Sequence, residues 1–415
     1  MRRFINPKIS RRYSALSDEL EILPPVSSAC IKQVILNVAS ICNMCCPYCF
    51  ASQGAYGLSC PNFMDAEPVL VFLKRLAIKR RGIEQIKFFG GEPFLNVQCI
   101  EIICSAFHRW FACGEIVKMP FFHINTNLTL LDQAIVELIQ TYNISITVGL
   151  DGPPKIHDRL RVYPDGRGSF ELVDKHIIKL VTICGQPRSI EAVYTAEHAR
   201  LGVLPSALHE FFGERYGERN FIIHPSVSPF MGLPALNKGK NFDDQELDKQ
   251  MLYDAFFDYG RYVMMKKLCD NPALPKDGAS LLKNPQIDCQ CDQCLEDIFI
   301  TTSGDIYPCS GFVGREEFRI GNIGDDGQGF DASLELIRGR LSNSRRSTNQ
   351  TCKTCPISKT CKTCPAAMLQ RNGSIHVPDG YLCTYHIGFT EGMVSGLENC
   401  SGSINLEDRG VSDDI

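Results

Sequence analysis

Six short apolar, β-branched runs recur along the first half of the chain, separated by segments with helical periodicity. They are QVILNVA (33–39), EQIKFF (84–89), FFHINT (121–126), SITVGL (145–150), SIEAVY (189–194) and NFIIHPS (220–226). Between the first two, Val69, Leu70, Leu73, Leu76 and Ala77 share one helical face behind a cap at Asp65. LLDQAIVELIQTY and FELVDKHIIKLVTI repeat the pattern. Strand–helix alternation predicts an α/β fold with a parallel sheet, and six such units predict a partial (β/α)6 TIM-like barrel.

The unusual residues follow the strand ends. A cysteine cluster follows the first strand, GGEP the second, NTN ends the third and DGP follows the fourth. Barrel enzymes build their sites from the loops at the C-terminal strand ends, so these four loops are expected to converge on one mouth. After about residue 235 the pattern changes. The reading is an N-terminal extension (1–30), a barrel (31–234), a polar and helical linker (235–284), a cysteine-rich domain (285–390) and a flexible tail (391–415). The cysteine-rich stretch shows few apolar residues and little periodicity, so metal is expected to hold it together.

Composition narrows the function. The 415 residues are 44% apolar and 22% charged, as in a soluble globular protein. A net charge of −4 argues against a nucleic-acid surface. MRRFINPKISRRYSALSDEL lacks the apolar run of a signal peptide, and no stretch approaches the ~18 apolar residues of a membrane span. A cytoplasmic location without membrane contact is expected.

Twenty-one cysteines fall mainly in three groups, at 42–49, 289–309 and 352–383. Clustered cysteines in a reducing cell bind metal rather than form a disulfide framework. Cys30, Cys60, Cys99, Cys104, Cys113, Cys184, Cys269 and Cys400 read as packed apolar residues. In ICNMCCPYCFAS, Cys42, Cys46 and Cys49 supply three ligands where a structural zinc takes four. Three thiolates suit a 4Fe–4S cluster with one iron left open. Cys45 then points away as a free thiol.

CNMCCPYC, with Tyr48 before its last cysteine, resembles the signature of radical S-adenosylmethionine (SAM) enzymes, and FFGGEPFLN at the next strand end strengthens the likeness. The resemblance implies that the open iron chelates the amino and carboxylate groups of SAM. Tyr48 would lie by the adenine, and the turn of Gly90, Gly91, Glu92 and Pro93 would receive the methionine ammonium. INTNLTLL, with Asn125 and Asn127, and VGLDGPPKIHDRLRVYPDGRGSF resemble further stretches of radical SAM peptide and protein maturases. Two positions depart from that pattern. Leu128 stands where glycine is usual, and Gly149 where a serine often touches the cofactor. His157, Asp158 and Arg161 are open to two readings, a site role or a structural loop network.

CQCDQCLEDIFITTSGDIYPC, CKTCPISKTCKTC and Cys383 resemble the SPASM extension of such maturases. That likeness implies two auxiliary 4Fe–4S clusters, making three in all. One would be held by Cys352, Cys355, Cys361 and Cys383. The other would take Cys294, Cys309, Cys364 and either Cys289 or Cys291, with Cys289 slightly preferred. A pair of zinc sites is the alternative for this region taken alone.

The resemblance implies a radical SAM oxidoreductase that cross-links a ribosomally made precursor peptide, with a thioether the leading product. Carbon–carbon or ether cross-links and sulfatase-type formylglycine formation are alternatives. Formylglycine enzymes usually carry an aspartate base directly after the glycine–x4–cysteine, where this chain has Ser310. An iron–sulfur electron carrier is the non-enzymatic alternative, and it leaves the SAM motifs unexplained. An electron donor such as flavodoxin or ferredoxin is implied, and a separate leader-binding protein fits the short segment before Cys42.

Overall fold

The computed structural model describes residues 9, 22–23, 31–56, 62–226, 247–271, 286–287, 291, 293–325, 329–344, 346–347, 349–359 and 361–401. Most of the N-terminal extension, the polar part of the linker, Cys289 and the last fourteen residues of the tail lie outside them.

Six parallel strands form where the alternating runs stand. They are β1 (Gln33–Ala39), β2 (Gln85–Gly90), β3 (Phe121–Thr126), β4 (Ser145–Gly149), β5 (Ser189–Tyr194) and β6 (Asn220–Pro225). Their alternation has a physical cause. Val34, Leu36, Ile86, Phe88, Phe122 and Ile124 are fully or almost fully buried in the main core, whereas Lys87, His123 and Asn125 take the opposite, inner face. Crossover helices such as Ala66–Lys79, Val97–Ala112 and Phe170–Cys184 cover the outside. Asp65 caps the first by accepting from Glu67 N at 3.1 Å, as its sequence position predicts.

The sheet does not stop at six strands. β7 (Asp297–Ile300) pairs in parallel with β1, and β8 (Asp305–Tyr307) and β9 (Gly321–Asn322) extend it antiparallel. The spatial order is β9-β8-β7-β1-β2-β3-β4-β5-β6, an open partial barrel. The cysteine-rich region therefore shares the barrel's sheet, and metal is not its sole source of order. Ile298, Phe299, Ile300, Ile306, Phe312 and Phe318 are buried in the same core as the barrel strands. The sequence reading undervalued this short run because DIFI is too brief to show a period.

The C-terminal helix Gly380–Ser401 packs along Lys249–Asp270. It continues through the first residues of the segment read as a tail, with Glu391, Val394 and Leu397 buried. Its contact face is a row of glycines, Gly388, Gly392 and Gly396, meeting Gly260 on the partner helix. A Cβ at Gly388 would lie 2.7 Å from Tyr253 O, and one at Gly396 would lie 2.8 Å from Arg261 O. At Gly392 and Gly260 the opposing carbonyls of Phe257 and Phe389 stand closer still. Side chains are excluded, so the two backbones touch. Among the described residues, no helix is long and apolar enough to cross a membrane.

Candidate functional site

The loop after β1 curls over the barrel mouth and is pinned by Cys45 N donating to Val162 O at 2.7 Å. Three sulfurs gather beneath it. Met44 N and Asn127 Nδ2 approach Cys42 Sγ at 3.4 and 3.6 Å, and Gln53 N approaches Cys49 Sγ at 3.3 Å. Burial pushes the Cys42 thiol up to about 12, with Glu92 and Cys49 adding repulsion. Burial raises Cys46 further, and Cys49 and Cys42 add to it against the pull of Arg161. Cys45 instead accepts from Gln53 Nε2 at 3.3 Å.

The chemistry of this donor set fits an iron–sulfur cluster. Three thiols that repel one another as thiolates, with N–H donors beside Cys42 and Cys49, become stable as anions once a cationic metal centre joins them. Among the described residues no three His, Cys, Asp or Glu side chains are arranged to hold a metal ion. A four-iron cluster spreads its thiolates over separate irons and needs a wider set.

The GGEP turn is built for close approach. Gly90 has φ +148°, and a Cβ there would stand 2.7 Å from Asn37 Oδ1. At Gly91 a Cβ would run into the carbonyls of Ile41 and Gln53. Glu92 is fully buried and works as a strap. Its carboxylate accepts from Phe94 N (3.0 Å), Thr126 Oγ1 (2.7 Å) and Asn127 N (2.8 Å). Burial lifts it to about 7 despite these bonds. Pro93 starts the short turn Pro93–Asn96 that follows.

Asn127 ties the β3 end to the cysteine loop through Asn43 Oδ1 (3.0 Å) as well as Cys42. Asn125 turns inward, donating to Glu191 Oε2 at 3.1 Å. Of the two departures from the family pattern, the structure explains the one at Gly149. Leu128 sits at φ +53°, a left-handed conformation that glycine adopts without strain. At Gly149 a Cβ would lie 2.7 Å from Arg161 Cζ, so the glycine makes room for that guanidinium.

Arg161 forks onto buried Asp151, with Nε to Oδ2 at 3.0 Å and Nη2 to Oδ1 at 3.2 Å. The Tyr48 hydroxyl donates to the same carboxylate, and Arg161 covers the Tyr48 ring at 5.7 Å. Sequence reasoning named Tyr48 and Arg161 but missed Asp151, which the DGP motif carried in view. His157 and Asp158 serve the loop. His157 Nδ1 accepts from Asp151 N (3.2 Å) and its Nε2 faces Ser169 Oγ (2.9 Å), while Asp158 accepts from Phe170 N (2.8 Å).

Burial drives His157 down to about 3, and it drives His123 and His386 down to about 4. These rings stay neutral when folded yet bind protons near pH 6.5 when unfolded. Stability is therefore complete above that pH and declines as pH falls toward 4. His224, raised by its partner Glu191 against burial, acts in the opposite sense. Between pH 7 and pH 5 we expect a loss of about 2 kcal/mol from His157 alone. Glu92, lifted by burial, gains stability over the same range, so the test is the difference between wild type and His157→Asn in melts at each pH. A difference that does not change between pH 7 and pH 5 would refute it.

The remaining cysteines form two sets. Cys364 feels Cys291 and Cys309, and desolvation together with these neighbours pushes it up to about 12. Its sulfur caps the helix Pro365–Asn372, accepting from Ala367 N at 3.5 Å. Cys383, on the C-terminal helix, is raised by burial and then by Cys361, Cys355 and Cys352. Thr363 Oγ1 lies 2.8 Å from Cys361 Sγ. Cys294 lies in the short helix Gln293–Glu296. Tyr56, missed in the sequence, is buried within electrostatic reach of both Cys49 and Cys309 and faces Ser310. Its ring meets Phe299 at 5.5 Å.

Comparison with known proteins agrees with this geometry. Residues 36–181 match the model of the radical SAM superfamily. The cysteine-type anaerobic sulfatase-maturating enzyme of Clostridium novyi is 24% identical over 308 residues, 71% of this chain and 76% of its own. The serine-type enzyme of Klebsiella pneumoniae is 22% identical over 365 residues, 83% of this chain and 84% of its own. Among solved structures, anSMEcpe with bound AdoMet overlays with a TM-score of 0.71 at 21% identity, covering 89% of this chain and 98% of that one. SuiB from Streptococcus suis bound to the precursor peptide SuiA overlays with a TM-score of 0.52 at 19% identity, covering 90% and 79%. With three cysteines converging over a glycine turn at the mouth of a partial barrel, residues 36–181 are a radical SAM domain and the chain is a radical SAM enzyme.

Proposed function

We propose that this enzyme modifies a ribosomally made precursor peptide and that the modification is a thioether cross-link. One observation carries the reading furthest. Tyr56 lies within electrostatic reach of both Cys49 and Cys309, which brings a second thiol-rich set near the barrel mouth. A cysteine of a peptide lying across that mouth would reach both. The relatives support a peptide substrate, since anSMEcpe has been solved with a bound peptide and SuiB with its precursor peptide.

Cys42, Cys46 and Cys49 would hold the SAM-binding cluster. Cys352, Cys355, Cys361 and Cys383 would hold one auxiliary 4Fe–4S cluster, and Cys309, Cys364 and Cys294 the other. Cys289 or Cys291 would complete the latter, and Cys291 lies within electrostatic reach of Cys364. A SAM-loaded cluster supplies one-electron cleavage of SAM and a hydrogen-abstracting 5′-deoxyadenosyl radical. The chain's own residues do the positioning. The glycine turn admits the cofactor's backbone-contacting end, Asn127 fixes the cysteine loop, and Asp151 with Arg161 orients Tyr48. Electrons would come from a flavodoxin or ferredoxin, and a separate protein would present the leader.

The second reading is formylglycine formation, favoured by similarity to sulfatase-maturating enzymes over most of the chain. Ser310 in place of the expected aspartate stands against it. We expect reconstituted enzyme with SAM and dithionite to yield 5′-deoxyadenosine and to leave a sulfatase target peptide unchanged in mass. A cysteine-rich peptide encoded beside the gene should lose two hydrogens and one alkylatable thiol. An aldehyde on the sulfatase peptide would establish the second reading instead.

A further inference from the structure

The barrel interior holds a polar cluster that neither the cysteine loop nor the glycine turn uses. Lys87 of β2 stands level with His123 of β3, and Asn125 with Thr147 of β4. His123 Nε2 lies 3.0 Å from Asn125 Oδ1 and 3.1 Å from Thr147 Oγ1. Glu191 of β5 accepts from Asn125 through Oε2 and, through Oε1, from His224 Nε2 of β6 at 3.0 Å. His224 Nδ1 faces Pro225 O at 3.2 Å. Both ring nitrogens thus face acceptors, and against the effect of burial Glu191 raises the His224 pKa above its ordinary value. The side chains of Glu191 and His224 keep 31% and 38% exposure although they face the barrel interior. They border a space that solvent can enter.

Lys87 is the exception in this network. Its side chain is half-buried in the barrel interior, and no described residue hydrogen-bonds it or pairs with it directly. The Phe89 ring lies 5.4 Å away, and Glu191 and Asp297 act on it only at longer range. Arg161, which also acts on Glu191, is already taken by Asp151. A partly desolvated ammonium without an acceptor carries an unmet desolvation penalty. A ligand that supplies an anionic oxygen relieves it more fully than a neutral carbonyl does.

We propose that the barrel lumen is a carboxylate-binding anchor for the substrate, with Lys87 as the direct donor and the Glu191–His224 pair as its rigid frame. Lys87 precedes Gly90 by three residues, so its Cα lies about 10 Å nearer the barrel floor than the glycine turn. That depth separates the anchor from the turn expected to take the methionine end of SAM. Given the peptide reading above, on which the ligand's identity rests, the carboxylate comes from an acidic side chain or from the peptide's C-terminus.

Reductive methylation of the reconstituted enzyme, followed residue by residue by mass spectrometry, tests this. The additives are a capped aspartate with a free side-chain carboxylate, N-acetylglycine with a terminal carboxylate, and a capped asparagine as the neutral control. Lys87 should react in the free enzyme and slow by about tenfold, the equivalent of one pKa unit, with at least one carboxylate. The better protector identifies the source. Exposed Lys79 and Lys118 should not respond. Equal protection by the asparagine compound, protection by SAM alone, or a Lys87 inert without any additive would each overturn the anchor. 5′-Deoxyadenosine formation by the untreated enzyme is measured separately. SAM cleavage without Lys87 protection condemns the anchor alone, and protection without SAM cleavage condemns the proposed function alone.

Discussion

Replacing Cys42, Cys46 and Cys49 together by alanine will remove about four of about twelve irons and abolish SAM cleavage. Under this assignment the three thiolates are the attachment of the cluster to the protein. The N–H donors around them, Met44 N, Gln53 N and Asn127 Nδ2, are poised to support sulfur anions and cannot ligate iron themselves. Cys45→Ala is the matched control and should retain both iron and turnover, because Cys45 bonds Gln53 rather than joining the set. Iron and acid-labile sulfide assays with 5′-deoxyadenosine quantification decide the matter. Unchanged iron in the triple variant, or zinc occupying the wild-type sites, would refute the cluster assignment.

Gly392→Leu should be the most damaging single change away from the cysteines, lowering stability by about 3 kcal/mol or more. Its position faces the Phe257 carbonyl with no room for a Cβ, so the helices must part along their whole seam. Flexible side chains yield to overpacking, but backbone does not. The same helix carries Cys383, so its displacement should also remove iron from the second auxiliary set. Gly339→Ala provides the contrast. It lies in the helix Phe330–Ser342 with nothing within 4 Å of an added Cβ, so it should be neutral or stabilise by up to about 1 kcal/mol. Urea midpoints and iron content of the two variants test the pair. Equal midpoints would show that the seam tolerates a side chain.

The six barrel strands were legible because each is an edge of local alternation, and the structure places them within a residue or so of their sequence positions. The loops of the site were legible because cysteine spacing and paired glycines are local signals too. What escaped the sequence were long-range facts. DIFI carries no hint that it pairs with β1, since its four residues are buried on both faces. Gly388, Gly392 and Gly396 are evenly spaced, but that spacing has meaning only when Gly260 lies opposite. Lys87 sits in a run that reads as apolar, and its inward direction follows only from the register with His123. Asp151 was visible in its motif, but its bonds to Tyr48 and Arg161 come from residues on separate loops.

The pairing of β7 with β1 has a consequence for how the protein is made. β1 leaves the ribosome early, and its partner on that side follows only after more than half the chain has been synthesised. Until then β1 presents an open, apolar strand edge, the kind of surface that recruits other nascent chains. Closure of that edge requires a contact of long sequence separation, which is slow to form. The nascent barrel therefore carries an unpaired strand edge beside its mouth until a strand made late in synthesis arrives to cover it.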